Sequence, residues 1–469
     1  MFHDISFIRR LGVRSRALTR TMLVCFGMLV LAPGMAFAQT ASGPPASLTL
    51  QDVVRLAMER NLDVMQGANQ VEMGRTQVEQ ERADFLPDLN LSISPGASYG
   101  RSIDPMTGST EGNVDRSLNM GASSSINLFN GFEDQATLDQ AKSQLSASER
   151  LFGRTQEQIA YQAAIQYLDV FLNQELEAVA QENLDVQERQ LEQIQAFYEA
   201  GSRPIADVLQ QKAAIAAARQ QLLAAQQAVE VARLELKRTL RLSAEDELEL
   251  AEPSPEVFAL QEDQLALNDL IARALENRSD LEAQRLQIDA AESGVKAARS
   301  GYYPRVDLGV GANTRYNSGI SGVGAADQLF DTGPGSSVNL SVTIPIFDRN
   351  RTRSAVKRAE IAVDNERIAL ERAEQDIAFE VQKAVLDYNT AKAQLASAEE
   401  QVAAARQALS AAEARYNVGA STLVELAQTR STFVQAEADR VNALYALGMS
   451  RLTLALQTGD VGAAINELG

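Results

Sequence analysis

Two hydrophobic patterns follow each other along the chain, and each predicts a different kind of element. Four segments alternate strictly between apolar and polar residues over roughly ten positions, which is typical of membrane strands with a lipid face and a lumen face. Their polar positions are rich in Ser, Asn and Gly, which favours membrane strands, although the strands of a soluble sandwich alternate as well. The apolar positions are Leu89, Leu91, Ile93, Ala97 and Tyr99; Leu118, Met120, Ala122, Ile126 and Leu128; Val306, Leu308, Val310, Ala312 and Tyr316; and Val338, Leu340, Val342, Ile344 and Ile346.

The second pattern is that of very long helices. Residues 350–418 contain no Gly and no Pro, and residues 132–200 contain only Gly153, so each segment predicts a helix of roughly 100 Å at 1.5 Å per residue. Within residues 350–418 a stripe of apolar residues recurs every seven positions, which predicts a coiled-coil seam. The change from large residues to Ala along this stripe indicates closer helix approach toward Gly419, as a tapering tunnel requires, but an ordinary Ala-rich coiled coil has the same pattern. The stripe is Val356, Val363, Leu370, Ile377, Ala384, Ala391, Ala398, Ala405 and Ala412, and its partner stripe is Val381, Tyr388, Leu395, Val402, Leu409 and Tyr416.

The chain repeats itself at a nearly constant offset, which predicts an internal duplication. Residues 50–57 match residues 267–274, and the Phe85-Leu86-Pro87 motif matches Tyr302-Tyr303-Pro304. Farther on, residues 126–129 match residues 344–347, and the turn from Tyr198 to Gly201 matches the turn from Tyr416 to Gly419. Each half is therefore predicted to contain helices, two strands and a long helical hairpin.

The N-terminus has the features of a secretory signal peptide. Five arginines precede an apolar run over residues 22–32, and Ala36-Phe37-Ala38 fits the small-x-small cleavage site. A transmembrane anchor is the alternative, but about a dozen apolar residues are too few to cross ~30 Å of hydrocarbon. The predicted organisation is a signal peptide over 1–38, a first repeat over 39–242, an acidic linker or equatorial segment over 243–265, a second repeat over 266–458 and a C-terminal tail over 459–469.

Composition after removal of this signal excludes several function classes. Cys25 and His3, the only Cys and His, leave with the signal, so the mature chain has no Cys/His zinc site, thiol nucleophile or His base. The signal holds five arginines and one aspartate, which leaves 38 basic and 61 acidic residues and a net charge of −23. Such a charge argues against nucleic acid as a partner and against a basic patch for anionic lipid. We expect no cofactor and no enzymatic activity.

The number of strands bears on the oligomeric state. Four strands cannot close a barrel, and eight would fill the lumen with their own side chains, whereas three copies supply twelve strands and room for a pore. The connections over 101–116 and 317–335 are predicted to be long polar loops at the outer rim of such a barrel. These arguments favour a trimer or a larger assembly.

Together these landmarks resemble the TolC-type outer-membrane efflux proteins over about residues 48–458. The residues that carry the resemblance are the Phe85-Leu86-Pro87 and Tyr302-Tyr303-Pro304 motifs, residues 128–131 and 344–347, and the two Tyr-x-x-Gly turns. The resemblance implies a homotrimer in the cell outer membrane, with a twelve-stranded β-barrel among outer-membrane lipid continued by a long periplasmic α-helical coiled-coil barrel. It also implies a passive exit duct for efflux or type I secretion, with a periplasmic adaptor and an inner-membrane pump or ABC exporter as partners. A periplasmic coiled-coil adaptor and a structural protein without a pore are the alternatives.

The resemblance also suggests a gate in the two turns. In the family, an Asp of the first repeat pairs with a Tyr and an Arg of the second repeat and helps to hold the periplasmic tip closed. These positions correspond to Asp207, Tyr416 and Ser421. Arg203 occupies the duplicate place in the first repeat, so the arginine has either changed repeats or been lost from the lock.

The entrance and the helix ends supply the remaining candidates. Glu425 matches the first acid of the family's entrance ring, and Gln428 stands where the second would be; a threefold ring of Glu425 would attract cations.

Helix capping is the alternative explanation of Asp207 and Glu425, since an acid near a helix N-terminus is favoured by the dipole, and Pro204 suits a first helical turn. Gly201 and Gly419 suit the left-handed position after a helix, and Thr422 has the capping-box spacing to Glu425. Capping and gating are compatible functions of the same residues.

Overall fold

The computed structural model describes residues 47–103, 110–258, 266–320 and 322–468, so the predicted signal peptide lies outside the described residues. Two helices, two strands, one very long helix and one shorter helix follow each other twice along the chain. The first series is α1 (Leu50–Arg60), α2 (Leu62–Ala83), β1 (Asn90–Ile103), β2 (Thr110–Phe129), α3 (Glu133–Glu199) and α4 (Ile205–Thr239). The second is α5 (Leu267–Asn277), α6 (Ser279–Arg299), β3 (Arg305–Asn317), the three-residue α7 (Ala325–Asp327), β4 (Gly335–Thr343), α8 (Arg351–Asn417) and α9 (Leu423–Thr458), and α10 (Val461–Leu468) follows.

The four strands form one antiparallel sheet in the order β1-β2-β3-β4, so the two halves of the chain meet between β2 and β3. The apolar side chains of the edge strands are exposed in the single chain, as Leu91 at 74% and Val338 at 77% illustrate. Paired residues such as Ile93 and Met120, or Val310 and Val338, stand opposite each other on that face. The sheet therefore has one apolar and one polar face, as the alternation predicts.

The strand ends differ from the prediction in two places. The polar loop predicted over 101–116 is wrong in extent, because β1 continues to Ile103 and β2 begins at Thr110, where the two residues pair. An antiparallel ladder continues wherever backbone N–H and C=O groups face each other, whatever the side chains. β4 stops at Thr343, so the predicted strand residues Ile344 and Ile346 lie beyond its C-terminal end. Pro345, which lies between them, has no N–H to donate to a ladder. The second predicted loop, over 317–335, contains α7 and one π-helical turn, Gln328–Thr332.

The two long helices predicted from the sequence are confirmed. α3 and α8 each contain 67 residues, which corresponds to roughly 100 Å of length. Each is preceded by a left-handed residue that turns the chain sharply, Phe132 at φ 68° and Asn350 at φ 63°; α3 follows β2 closely, whereas residues 344–350 separate α8 from β4. The predicted seam of α8 is also confirmed, since nearly all of its two stripes is buried, including Val363, Ile377, Ala384, Ala391, Ala398, Ala405, Ala412, Val381, Tyr388, Leu395, Val402 and Tyr416. None of the described helices combines the length and apolar character that a membrane-spanning helix requires.

The largest hydrophobic core surrounds the middle of α3, where α1, α4, α9 and α10 pack against it. Part of the acidic segment 243–265 also enters this core, because Val257 is buried there and the Tyr167 hydroxyl donates a hydrogen bond to the Ala251 carbonyl. Burial raises the pKa of Tyr167 to about 12, so this hydroxyl remains a donor at neutral pH. The described part of this segment, residues 243–258, is therefore anchored to the helices.

A buried arginine joins three parts of the second half. Arg278, between α5 and α6, places two guanidinium nitrogens on the Asp280 carboxylate, with Nη2 2.6 Å from Oδ2. Its Nη1 lies 2.6 Å from Oε2 of Glu380 on α8 and 3.1 Å from Oε1 of Gln457 on α9. Burial opposes ionisation of Asp280, but the Arg278 contacts outweigh it and hold the pKa of that carboxyl below its usual range. The cluster ties α5 and α6 to α8 and α9 at one point.

Candidate functional site at the hairpin tips

Both long helices end in the same kind of turn. After α3, Gly201 adopts φ +75° and donates its N–H to the Tyr198 carbonyl at 2.9 Å, while Ser202 donates to the Phe197 carbonyl at 2.9 Å. After α8, Gly419 adopts φ +78° and donates to the Tyr416 carbonyl at 3.0 Å. This is the Schellman arrangement, which favours glycine because a side chain is strained at positive φ. The capping interpretation of both glycines is therefore confirmed.

The two tips pack against each other within one chain. Ile194 of α3 and Val208 of α4 share a hydrophobic cluster with Ala412, Tyr416, Leu423 and Leu426 of α8 and α9. Tyr416 is the largest member and is only 1% exposed. A polar contact beside the cluster also joins the hairpins, since Nε2 of Gln193 donates to Oδ1 of Asn417 at 3.0 Å. The tips of the first and second hairpins thus form one packed unit.

Arg203 and Tyr416 make the closest polar contact between the two turns. The Arg203 guanidinium lies over the Tyr416 ring, with 4.5 Å between Cζ and the ring centroid. Its Nη2 also donates to the Tyr416 backbone carbonyl at 2.9 Å. A guanidinium on an aromatic face is attracted by the ring quadrupole, and this attraction strengthens when the pair is desolvated. Two of the four residues predicted for the gate are therefore brought into direct contact.

Of the other two predicted gate residues, Asp207 lies near this pair and Ser421 is buried. Burial raises the pKa of the Tyr416 phenol and the negative charge of Asp207 raises it further, while the positive charge of Arg203 lowers it. Asp207 therefore lies within electrostatic range of the phenol. The Tyr416 hydroxyl and the Ser421 hydroxyl are both buried without a hydrogen-bond partner among the described residues. Ser421 is small and buried and carries no charge. The guanidinium over Tyr416 is that of Arg203, which belongs to the other hairpin.

The predicted entrance residue Glu425 has a partner that the sequence did not indicate. Its Oε1 lies 2.7 Å from Nη2 of Arg415 on α8, and both side chains are substantially exposed. The Thr422 hydroxyl accepts a hydrogen bond from the Glu425 N–H at 3.3 Å. The predicted capping box is present only in half, because the Glu425 carboxylate binds Arg415 and not the Thr422 backbone N–H. Gln428 is exposed one turn farther along α9.

Pro204 and the N-terminus of α4 also differ in detail from the prediction. Pro204 precedes the helix as its cap residue, with φ −76° and ψ 154°, and α4 begins at Ile205. Asp207 lies in the first turn, where the helix dipole favours an acid. In the ranges that the structure describes, no group of three or more His, Cys, Asp or Glu residues could hold a metal ion.

Several known proteins resemble this chain in sequence or in fold. A family model described as "Outer membrane efflux protein" matches residues 53–240 and 270–460. The pyoverdine export outer membrane protein OpmQ of Pseudomonas putida is 26% identical over 399 residues, covering 84% of this chain and 82% of OpmQ. The outer membrane protein TolC of Vibrio cholerae is 24% identical over 414 residues, covering 88% of this chain and 91% of TolC. The crystal structure of the Campylobacter jejuni CmeC outer membrane channel has a similar fold, with a TM-score of 0.74, 18% identity and coverage of 88% and 86% of the two chains.

Proposed function

The chain belongs to the outer membrane efflux protein family, and we propose that three copies of it form one closed duct across the outer membrane and the periplasm. The protein is a passive efflux channel of the outer membrane, extends into the periplasm and is not an enzyme. It works with pumps of tripartite systems. The proposal concerns the finer points: the trimer, the twelve-stranded barrel, the two repeats over 39–242 and 266–458 joined by 243–265, and the gate.

The observation that best supports the trimer is the four-stranded sheet with exposed apolar edge strands. In the order β1-β2-β3-β4, β1 and β4 each have one neighbour within the chain. An unpaired strand edge offers a row of free N–H and C=O groups, and hydrocarbon does not tolerate such an edge. Pairing β4 of one copy with β1 of the next removes both edges at once. Three copies then give twelve strands, and the alternation places Leu91, Val338 and Leu340 toward lipid.

The gate proposal rests on the contacts between the hairpin tips. We place Arg203 and Tyr416 at its centre, with the negative charge of Asp207 close to this pair and Ser421 filling the buried site that the family's arginine would occupy. Opening would separate the first hairpin from the second and break the Arg203 contact with the Tyr416 carbonyl. The lock would therefore be rewired through Arg203, with the positive charge supplied by the first repeat.

Replacing Asp207 or Arg203 tests the gate directly. We expect Asp207→Ala and Arg203→Gln each to enlarge the mean single-channel conductance of the purified protein in planar bilayers. Loss of about 1–2 kcal/mol of tip contacts shifts a closed–open equilibrium by a factor of roughly 5–30. Asp207→Asn removes the charge and keeps the size of the side chain, so it should open the channel as much as Asp207→Ala if the charge holds the gate. Conductance that stays at the unmodified value in both Asp207→Ala and Arg203→Gln would reject the gate.

The Arg415–Glu425 pair predicts an asymmetric effect on ion selectivity. Because Arg415 offsets the charge of Glu425 in the same chain, we expect Arg415→Gln to increase the cation preference of the pore and Glu425→Gln to decrease it. The reversal potential in a KCl gradient measures both changes, and high salt should reduce them. Gln428→Ala is the neutral control on the same helix. Equal selectivity in the Arg415 and Glu425 variants would show that Glu425 does not face the conduction path.

We propose a periplasmic adaptor and an inner-membrane pump or ABC exporter as partners in the assembly. The support is the length of the hairpins, since helices of roughly 100 Å carry the tips far from the sheet and toward the inner membrane. A pump that supplies the energy also selects the cargo, so a duct lined by many helices needs little selectivity of its own. Co-purification after crosslinking of a tip residue such as Arg203→Cys would identify the partners, since no Cys remains in the chain after signal removal.

A further inference from the structure

A cavity of about 430 Å³ lies between the first and the second helical hairpin. Its walls come from three helices: α3 over residues 175–186, α8 over residues 406–413 and α9 over residues 430–441. A few hundred Å³ is the usual size of a site for a small organic molecule. The cavity adjoins the cluster of Ile194, Val208 and Tyr416 that joins the tips, because Leu409 lines the cavity and packs against that cluster.

The wall of this hairpin cavity includes a buried arginine whose hydrogen bonds are incomplete. The Arg430 side chain is 6% exposed, and its Nη2 binds Oε1 of Glu413 at 2.5 Å. The remaining guanidinium nitrogens, Nε and Nη1, are buried without a hydrogen-bond partner among the described residues. On the opposite wall Oδ1 of Asn183 is likewise buried and unpartnered. A buried N–H group without an acceptor costs free energy, which an incoming acceptor would recover.

An anion would satisfy the free N–H groups of Arg430 better than a neutral acceptor, because a hydrogen bond between two charged groups is stronger. Arg430 is 6% exposed, whereas its partner Glu413 is 43% exposed and occupies only Nη2. Arg406 and Arg440 both bind Glu437, through contacts of 2.8 Å and 3.1 Å. Glu175 and Glu182 also line the cavity, so the whole lining has three guanidinium groups and four carboxylates. An anion would therefore be held by the hydrogen bond to the buried Arg430 and not by an excess of positive charge.

The rest of the wall is apolar. Phe433 presents its ring beside Arg406, with 5.8 Å from the guanidinium carbon to the ring centroid. The other apolar lining residues are Val179, Val186, Leu409, Val434 and Val441. We propose that the hairpin cavity binds a carboxylate-bearing amphiphile, whose carboxylate accepts a hydrogen bond from an unpaired N–H group of Arg430 and whose hydrocarbon chain lies along the apolar wall.

Decanoate is a suitable probe of this site. With ¹³C-carboxyl-labelled decanoate and the purified protein in lipid nanodiscs, we expect saturable binding in the NMR spectrum. Arg430→Gln should bind about tenfold more weakly, because it removes a charge-assisted hydrogen bond. Arg219→Gln is the matched control, since Arg219 forms an exposed pair with Glu188 outside the cavity, and its affinity should match that of the unmodified protein. 1-Decanol, which has the same chain and no charge, should bind no better to the unmodified protein than to Arg430→Gln.

Several outcomes would overturn the proposal. Equal decanoate affinity in intact Arg430→Gln would do so, and so would 1-decanol binding as tightly as decanoate. If Arg430→Gln fails to fold, the pKa of decanoate bound to the unmodified protein still tests the site. A neighbouring guanidinium should lower the pKa of the bound carboxyl below that of free decanoate, and a pKa equal to or above the free value would contradict the site. Loss of the assembly in Arg430→Gln, with no decanoate binding by the unmodified protein, would show instead that a neighbouring copy supplies the acceptor. None of these measurements depends on the gate.

Discussion

Replacing Tyr416 with Ala should release the two hairpin tips from each other. The side chain is almost wholly buried in the only hydrophobic cluster of the described residues that joins all four helix ends at the tips, and it is also the surface on which Arg203 rests. Removing a buried aromatic side chain costs roughly 3–5 kcal/mol, and the loss here falls on the tip contacts. We expect a larger single-channel conductance than in any single-charge variant of the turns, and faster hydrogen exchange in the first turns of α4 and α9.

Tyr416→Phe is the matched control for this prediction. It keeps the ring and its contact with Arg203 but removes a buried hydroxyl that has no partner among the described residues. Because such a group costs roughly 1–3 kcal/mol when unsatisfied, the Phe variant should keep the tips closed at least as firmly as Tyr. An open Tyr416→Phe channel would contradict this and show that the hydroxyl has an essential partner in the assembled protein. Closed conductance in Tyr416→Ala would mean that the tip cluster does not control the pore.

Replacing Arg278 with Ala should destabilise the second half of the chain. The change removes a buried guanidinium with its charged hydrogen bonds, while Asp280 and Glu380, which are 30% and 46% exposed, can be hydrated, so we expect a loss of about 1.5–3 kcal/mol. The chain contains no Trp, so far-UV circular dichroism during denaturant unfolding is the suitable measurement. Arg285→Ala is the control, because that side chain is 49% exposed and lies 4.0 Å from Glu374, a surface contact worth about 0–1 kcal/mol.

The same cluster predicts a pH dependence of stability. Since the folded pKa of Asp280 lies below its ordinary value, the stabilisation is complete above the unfolded value of about 3.9 and is lost as the pH falls through the folded pKa. Unmodified protein should therefore lose more unfolding free energy on acidification below that value than Arg278→Ala, in which Asp280 keeps only its 3.7 Å contact with Arg154. Parallel pH profiles for the two proteins would show that this pair does not contribute.

Periodic features of the fold were predictable because their cause lies in neighbouring residues. The seven-residue stripe of α8 and the alternation of Leu118, Met120 and Ala122 in β2 each specify a face, and the structure buries or exposes that face accordingly. The end of β4 before Pro345 was missed because residues 344 and 346 continue the alternation although the intervening backbone cannot pair. A pattern of side chains does not report a missing N–H group.

The site was predictable in its members but not in its contacts. Arg203 and Tyr416 were both identified from the turns, yet their stacking depends on how two hairpins pack, which the local sequence does not determine. Arg415 was missed as the partner of Glu425, because several arginines lie at comparable spacing along α8. Arg430 likewise stands out only when the packing of α3, α8 and α9 shows which of its nitrogens have acceptors.

The pairing of β2 with β3 has a consequence for the order in which the protein folds. Ser117 stands opposite Asn317, so this ladder closes only after most of the chain has been synthesised and exported. The β1–β2 hairpin and the α3–α4 hairpin, by contrast, use contacts between neighbouring elements. Because loop-closure entropy must be overcome before distant contacts form, the first half should acquire its hairpins early and wait with an unpaired β2 edge. During that wait the β2 edge is the segment most exposed to aggregation, and it is the natural target for a periplasmic chaperone.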